Sequence, residues 1–363
     1  MNKIKILSIT FYITLILLFV SLIFQVSFGS FSITFQKIIK SIFNYDLIFN
    51  TSYIPRHIFG DNICNFFNIP LINENLLSKE SLIIWNIRIP RFIVGLCAGI
   101  NLACSGVIFQ TITKNEMASP YILGISQGSG LSIILILMLF PILYPYISIL
   151  SILGGILAFL IIYCIAWNHG TSPIRLILAG IIVGSIASAI QTCLFFFAKD
   201  LSIIQNVISW TTGSLIGVSW EEVRIILPYT ILTIILSYIC SNPLNLMLLG
   251  ENNAKAIGLS VESWRFILAF IGILAASSSV SVCGLIGFVG LISPHIGRSI
   301  VGTNTKFLIP TVSMIGASIL VCSDTLSRVL FNPIQVPVGI FMSIIGGGFF
   351  LFLMIKKRRF NKL

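Results

Sequence analysis

Ten stretches of this chain are apolar over a length that suits a lipid bilayer, and nothing else in it limits the fold so tightly. A hydrocarbon core takes about 20 apolar residues per helix. By that ruler the candidate spans are 6–28, 92–112, 121–140, 147–167, 176–197, 223–240, 266–282, 286–300, 308–330 and 338–355. The eighth is the shortest and is rich in glycine. The expected class is all-α, a polytopic membrane protein of about ten helices. Composition agrees: of 363 residues 56% are hydrophobic and 9% charged, with a mean hydropathy of +1.03, whereas soluble chains carry about 25% charged residues. The first run is too long for a signal-peptide core and no small-residue cleavage site follows it, so it is expected to remain as a helix.

A formal charge of +11 could suggest nucleic acid, but its placement argues against that partner. Lysines and arginines gather at helix ends and in the tail KKRR at 356–359, which is a topology signal in a protein surrounded by lipid. An even number of spans puts both termini on one side. The positive-inside rule places that side in the cytoplasm, with Lys114, Arg175, Lys255, Arg265, Arg298 and Lys306. The chain then divides into an N-terminal helix at 1–29, an external loop region at 30–87 and five helices at 88–241. A cytoplasmic segment at 242–264 follows, and 265–363 hold four more helices and the basic tail.

Residues 242–264, NPLNLMLLGENNAKAIGLSVESW, are a polar island between two apolar runs. Leu244, Met247, Leu248, Ala254 and Ile257 recur at helical spacing, with Glu251, Asn252, Asn253 and Lys255 among them. Gly250 and Gly258 each mark the end of a short helix, where a left-handed backbone is needed. Two such helices are too short to span a bilayer and too apolar for a plain loop. They call for a partner.

Smaller signals follow along the chain. Pro90 suits the first turn of a helix, and Arg88 and Arg91 beside it either snorkel at the outer boundary or meet an acidic partner. Gly95 and Gly99, Gly124 and Gly128, and Gly180 and Gly184 have the spacing of close helix contacts. The turns TKNEMASP at 113–120 and NHGTSP at 168–173 read as ordinary turns or as a constriction, and His169 as a loop residue. Trp210 and Trp220 fit an interfacial aromatic belt. Gly284, Gly287 and Gly290 weaken a regular helix and Pro294 interrupts it, as irregular backbone inside a bundle can. His295 and Arg298 suit a helix-end cap, and Asp324 and Arg328, four apart, either neutralise one another or dock a partner. The eight cysteines have no metal or redox spacing and read as small apolar residues, with Cys64 alone in a polar loop.

Six of these segments, in this order, resemble the permease subunits of type II ATP-binding-cassette importers, the FecCD-like group that moves iron–siderophores, haem and vitamin B12. They are RIPR (88–91), SGVIFQ with KNEMASPYILGISQGSG (105–130), TSPIRLILAG (171–180), PLNLMLLGENNAKAIGLS (243–260), GLIGFVGLISPHIGR (284–298), and SDTLSR with PVGI (323–328, 337–340). The resemblance covers the chain from Arg88 onward. It implies a fold of ten transmembrane helices, a second permease copy, two cytoplasmic ATPase subunits that carry the ATP and magnesium, and an external substrate-binding protein. It also implies an iron chelate as cargo, a ferric siderophore first and haem or cobalamin as the alternatives.

Carried over by position, the resemblance makes Leu244, Leu246, Leu249, Gly250, Glu251, Ala254, Lys255 and Gly258 the contact with the ATPase. It puts Asn115, Met117, Thr171 and Ser172 at a cytoplasmic gate, and Arg88, Arg91 and Arg328 where the binding protein docks. Gly284, Gly287, Gly290 and Pro294 are expected, from their own pattern, to pack along the translocation path. NEMASP replaces the family's Asn-Pro-Leu-Ala-Asp-Pro, and GGGFF at 346–350 its Gly-Ala-Pro-Phe-Phe. The chain has no glycine-rich phosphate loop ending in Lys-Ser or Lys-Thr and no convergent set of catalytic or metal-binding side chains. It is expected to be a non-catalytic subunit with no cofactor or metal of its own. An ion-coupled secondary transporter, the alternative from another class, would want carboxylates near mid-membrane, and the acids here lie mostly in loops.

Overall fold

The computed structural model describes residues 3–27, 40, 53–67, 78–168, 170–197, 201–332 and 334–360. His169 and most of residues 28–77 lie outside them. Among the described residues the regular elements are helical. We number them α1 (Lys3–Ser27), α2 (Tyr53–Phe66), α3 (Lys79–Ile112), α4 (Ile125–Leu139), α5 (Ile147–Ala166), α6 (Pro173–Phe195) and α7 (Leu201–Thr212). Then come α8 (Trp220–Ile239), α9 (Ser241–Leu248), α10 (Glu251–Ala256), α11 (Val261–Cys283), α12 (Val289–Val301), α13 (Thr305–Leu330) and α14 (Val338–Phe360).

Seven of these are long and apolar enough to span a bilayer (α1, α3, α5, α6, α8, α11 and α13), and α4 and α14 are shorter apolar helices. With α12 they account for the ten expected spans, though three run differently from their sequence limits. α3 begins at Lys79 rather than near Phe92 and contains a π turn over Ile84–Arg88. α4 starts only at Ile125, because Gly124 turns the chain at φ +71°. α12 starts at Val289, after Phe288 at φ +65°.

α3, α11 and α13 form the buried centre, while α1, α6 and α8 keep most of their surface outward. Close approach rests on glycines: a Cβ on Gly106 of α3 would run into the Gly290 backbone of α12, and one on Gly99 into Gly316 of α13. Hydroxyls join the helices where backbones are near. Ser105 donates to the Gly272 carbonyl (2.7 Å), Asn101 to Ser278 (3.2 Å) and Ser129 to Ser277 (2.7 Å).

Two prolines explain two irregularities. In the π turn the Ile89 N–H reaches the Ile84 carbonyl, so the next donor, for Trp85, would be that of Pro90, which has none. The Trp220 indole N–H fills the gap on the Trp85 carbonyl at 2.8 Å. Trp220 is therefore a buried residue stacked on His57 at 5.2 Å, and not part of a lipid-facing belt. Pro294 likewise sits inside α12 rather than interrupting it. It leaves the Gly290 carbonyl open, and Gln110 of α3 donates to that oxygen (3.3 Å). Cys64, expected in a polar loop, is buried on α2.

Candidate functional site

The polar island folds as two helices with α9 anchored at one end of the bundle. Thr305, first residue of α13, donates its N–H to Asn245 (2.9 Å) and its hydroxyl to the Ser241 carbonyl (2.7 Å). Leu244, Met247 and Ala254 are buried against the bundle, and Leu246 is half-buried. On the other side Leu248, Leu249 and Ile257 are 40%, 56% and 61% exposed, among exposed Asn252, Asn253 and Lys255. Gly250 (φ +103°) turns the chain between the helices. Gly258 (φ +93°) closes α10 in a Schellman turn, with N–H bonds from Leu259 to the Ala254 carbonyl (3.0 Å) and from Gly258 to that of Lys255 (2.9 Å).

A network of charges lies beneath this elbow. Arg265, in the second turn of α11, is wholly buried. It donates to Glu251 of α10 (2.7 Å), to Glu262 one turn back (2.8 Å) and to the Thr171 carbonyl (2.9 Å). Glu262 accepts from the Thr171 hydroxyl (2.8 Å) and from Tyr163 (3.2 Å). Lys114 reaches Glu251 from the turn after α3, at 3.7 Å. Two carboxylates, each about a third exposed, thus balance two cations. A buried arginine near a helix N-terminus is opposed by the helix dipole, so it depends on those carboxylates.

The gate residues of the sequence sit on two turns that meet at this network. Asn115 accepts the Met117 N–H at 2.8 Å, an Asx turn that leaves Met117 half exposed. Thr171 is buried in a tight turn whose Gly170 carbonyl takes bonds from Asn168 and Arg175, and Ser172 stands at the N-cap position of α6 without a side-chain capping bond. Sequence reasoning reached Glu251 and Thr171 but missed Glu262, Arg265 and Lys114 as partners. The only trace was their charge beside an apolar run.

The translocation-path set separates by role. Gly284 ends α11 at φ +71° against the Trp210 backbone, Gly287 faces open space, and Gly290 packs on α3. Arg298 is not a simple helix-end cap: it donates to the side-chain oxygen of Gln110 and so links α12 to α3.

At the opposite end Asp324 is fully buried. It turns to Arg91 of α3 through a fork of 2.8 and 2.7 Å, rather than to Arg328 four residues on. Gln25 of α1 adds a third bond at 2.9 Å. Arg328 donates to the Gln25 carbonyl (2.8 Å) and Arg88 to that of Val26. These three buried arginines line, with Gln335, Leu215 and Ile87, a cavity of about 290 Å³. Among the described residues no three of His, Cys, Asp and Glu gather as metal ligands would.

The model of the FecCD transport family matches residues 15–356. The chain belongs to that family. It is 38% identical over 286 residues to the Fe(3+)-citrate import system permease protein YfmE of Bacillus subtilis (strain 168), covering 77% of this chain and 85% of that one. With the vitamin B12 import system permease protein BtuC of Klebsiella pneumoniae it shares 34% over 289 residues, 78% of this chain and 86% of the other. Its backbone follows a solved structure described as an inward-facing conformation of a putative metal-chelate type ABC transporter, with a TM-score of 0.77 at 25% identity over 96% of this chain and 99% of that one. It is therefore a multi-pass membrane permease of the ABC importer class and a non-catalytic subunit.

Proposed function

We propose that this permease moves an iron chelate, a ferric siderophore first, across the cytoplasmic membrane toward the side that carries both termini. Its partners on that reading are two cytoplasmic ATPase subunits, an external binding protein and a second copy of the chain. The observation that carries it is the elbow of α9 and α10, which shows apolar Leu248, Leu249 and Ile257 outward and joins both gate turns through Glu251 inward. ATP binding draws the ATPases together, and the elbow passes that movement to the bundle as a rigid-body shift. Met117 and Thr171 belong to the gate, and the binding protein docks at the opposite end, over the cavity that Arg88, Arg91 and Arg328 line. The permease itself binds no ATP and changes nothing in its cargo.

Iron chelates lead because the Fe(3+)-citrate permease is the more similar of the two relatives named. The test is vanadate-sensitive uptake by the assembled complex in vesicles, with ferric siderophores, haemin and cobalamin compared. Ferric chelate uptake supports the reading. Uptake of haemin or cobalamin alone replaces its cargo, and uptake without any ATPase overturns it.

A further inference from the structure

We infer that Arg265 is the positioning residue that divides the two gate turns into one held and one releasable, with Glu251 as the detachable contact. The inference rests on the proposed ATP-driven reading and adds to it how the elbow's movement reaches the gate.

The two turns are tied to α11 in different ways. Thr171 is held by four bonds: from the Arg265 guanidinium to its carbonyl and its hydroxyl, and from its own hydroxyl and N–H (3.3 Å) to Glu262. Both holding residues belong to α11 itself, so this turn travels with α11. Lys114 has no such tie in the network. It meets it only through Glu251, at 3.7 Å, and Glu251 belongs to the six-residue α10 on the far side of Gly250. Sliding α10 removes one carboxylate from Arg265 and the same carboxylate from Lys114, while Thr171 keeps its bonds.

The backbone at Lys114 fits a turn that needs an outside contact. It closes α3 as a Schellman turn, with Asn115 N–H on the Gln110 carbonyl (3.2 Å), at a position that favours glycine. Lys114 adopts φ +49° there, one of two non-glycine residues with positive φ among the described residues. A β-carbon in that region is disfavoured, so the turn is poised to shift when its side chain loses Glu251.

Arg265 is suited to the central position by shape as much as by charge. Its planar fork serves Thr171 and Glu262 from one nitrogen and Glu251 from the other. A lysine keeps the charge and loses that division.

The experiment uses the full complex of permease, ATPase and binding protein in vesicles, with radiolabelled iron citrate as the probe, and reads ATP hydrolysed per iron accumulated. Glu251→Gln, Lys114→Met and their double variant form the central cycle, because all three sit at a half-exposed surface and leave the buried guanidinium in place. Arg265→Lys is added. Each single variant is expected to raise the ratio about tenfold, within the usual range for coupling between two sites, and the double variant no further than either single. Arg265→Lys should raise it as well, with hydrolysis retained. Additive effects in the double variant, or an unchanged ratio in Glu251→Gln, overturn the inference. If the wild-type complex shows no ATP-dependent uptake of iron citrate or of a ferric siderophore, the iron-chelate reading has failed instead, and the same ratio is read with haemin or cobalamin, whichever the complex takes up.

Discussion

Each end of the bundle buries an arginine against carboxylates, and the two arrangements differ in what surrounds the acid. At one end Asp324 is wholly enclosed, takes both arms of the Arg91 fork and a bond from Gln25, and so joins three long helices, α1, α3 and α13. At the other, Arg265 is the enclosed partner, while Glu251 and Glu262 reach water and Glu251 rides on a helix of six residues. An enclosed acid between long helices can only hold. A half-solvated acid on a short, glycine-flanked helix can let go, because water takes over part of its bonding. An arginine–carboxylate pairing thus makes a clamp at one end and a joint at the other.

The largest losses are expected at the clamp. Asp324→Ala leaves Arg91 buried without its carboxylate, which costs about 3–5 kcal/mol, and thermal unfolding of the purified permease should show it. A loss below about 1 kcal/mol would mean the clamp is not what it looks like. Next comes Gly106→Ala, which pushes a methyl into the Gly290 backbone and should cost about 1–3 kcal/mol by the same assay. Trp220→Phe removes the indole bond to the Trp85 carbonyl beside Pro90 and should cost about 0.5–1.5 kcal/mol. At the joint the effect on stability is smaller: Glu251→Gln should change it by less than about 1 kcal/mol while uncoupling hydrolysis from uptake. Lys255→Ala, fully on the exposed face, should leave stability within about 0.5 kcal/mol.

Much of this could be read from the residues. The apolar runs gave the helical class and roughly the number of spans, because a bilayer imposes a length on every helix. Gly250 and Gly258 marked the limits of α10 correctly, since a positive φ leaves few residue types to choose from. Tertiary pairing was not legible. Asp324 and Arg328 looked like partners on one helix, yet Arg91 lies more than two hundred positions away and offers a two-point fork that α13 itself does not. That the helix runs on before Ile89 was missed for a similar reason: Pro90 does stand in the first turn of the α-helical stretch Ile89–Ile112, but a π turn and a distant indole carry the helix back to Lys79. Of the elbow, the sequence showed the amphipathic pattern and Glu251. It gave no sign that Arg265, at the head of an apolar run, lies at its centre.

On the proposed function, ATP-driven motion enters the protein at the exposed face of the elbow. Leu248→Asp combined with Leu249→Asp tests it most directly, because both side chains face outward and Leu244, Met247 and Ala254 still pin the helices. ATP-dependent uptake by the double variant, assembled with its ATPase and binding protein in vesicles, is the measurement. A normally folded permease whose uptake is lost together with ATPase association is the expected result. Full ATP-driven uptake from that variant would rule out the elbow as the entry point.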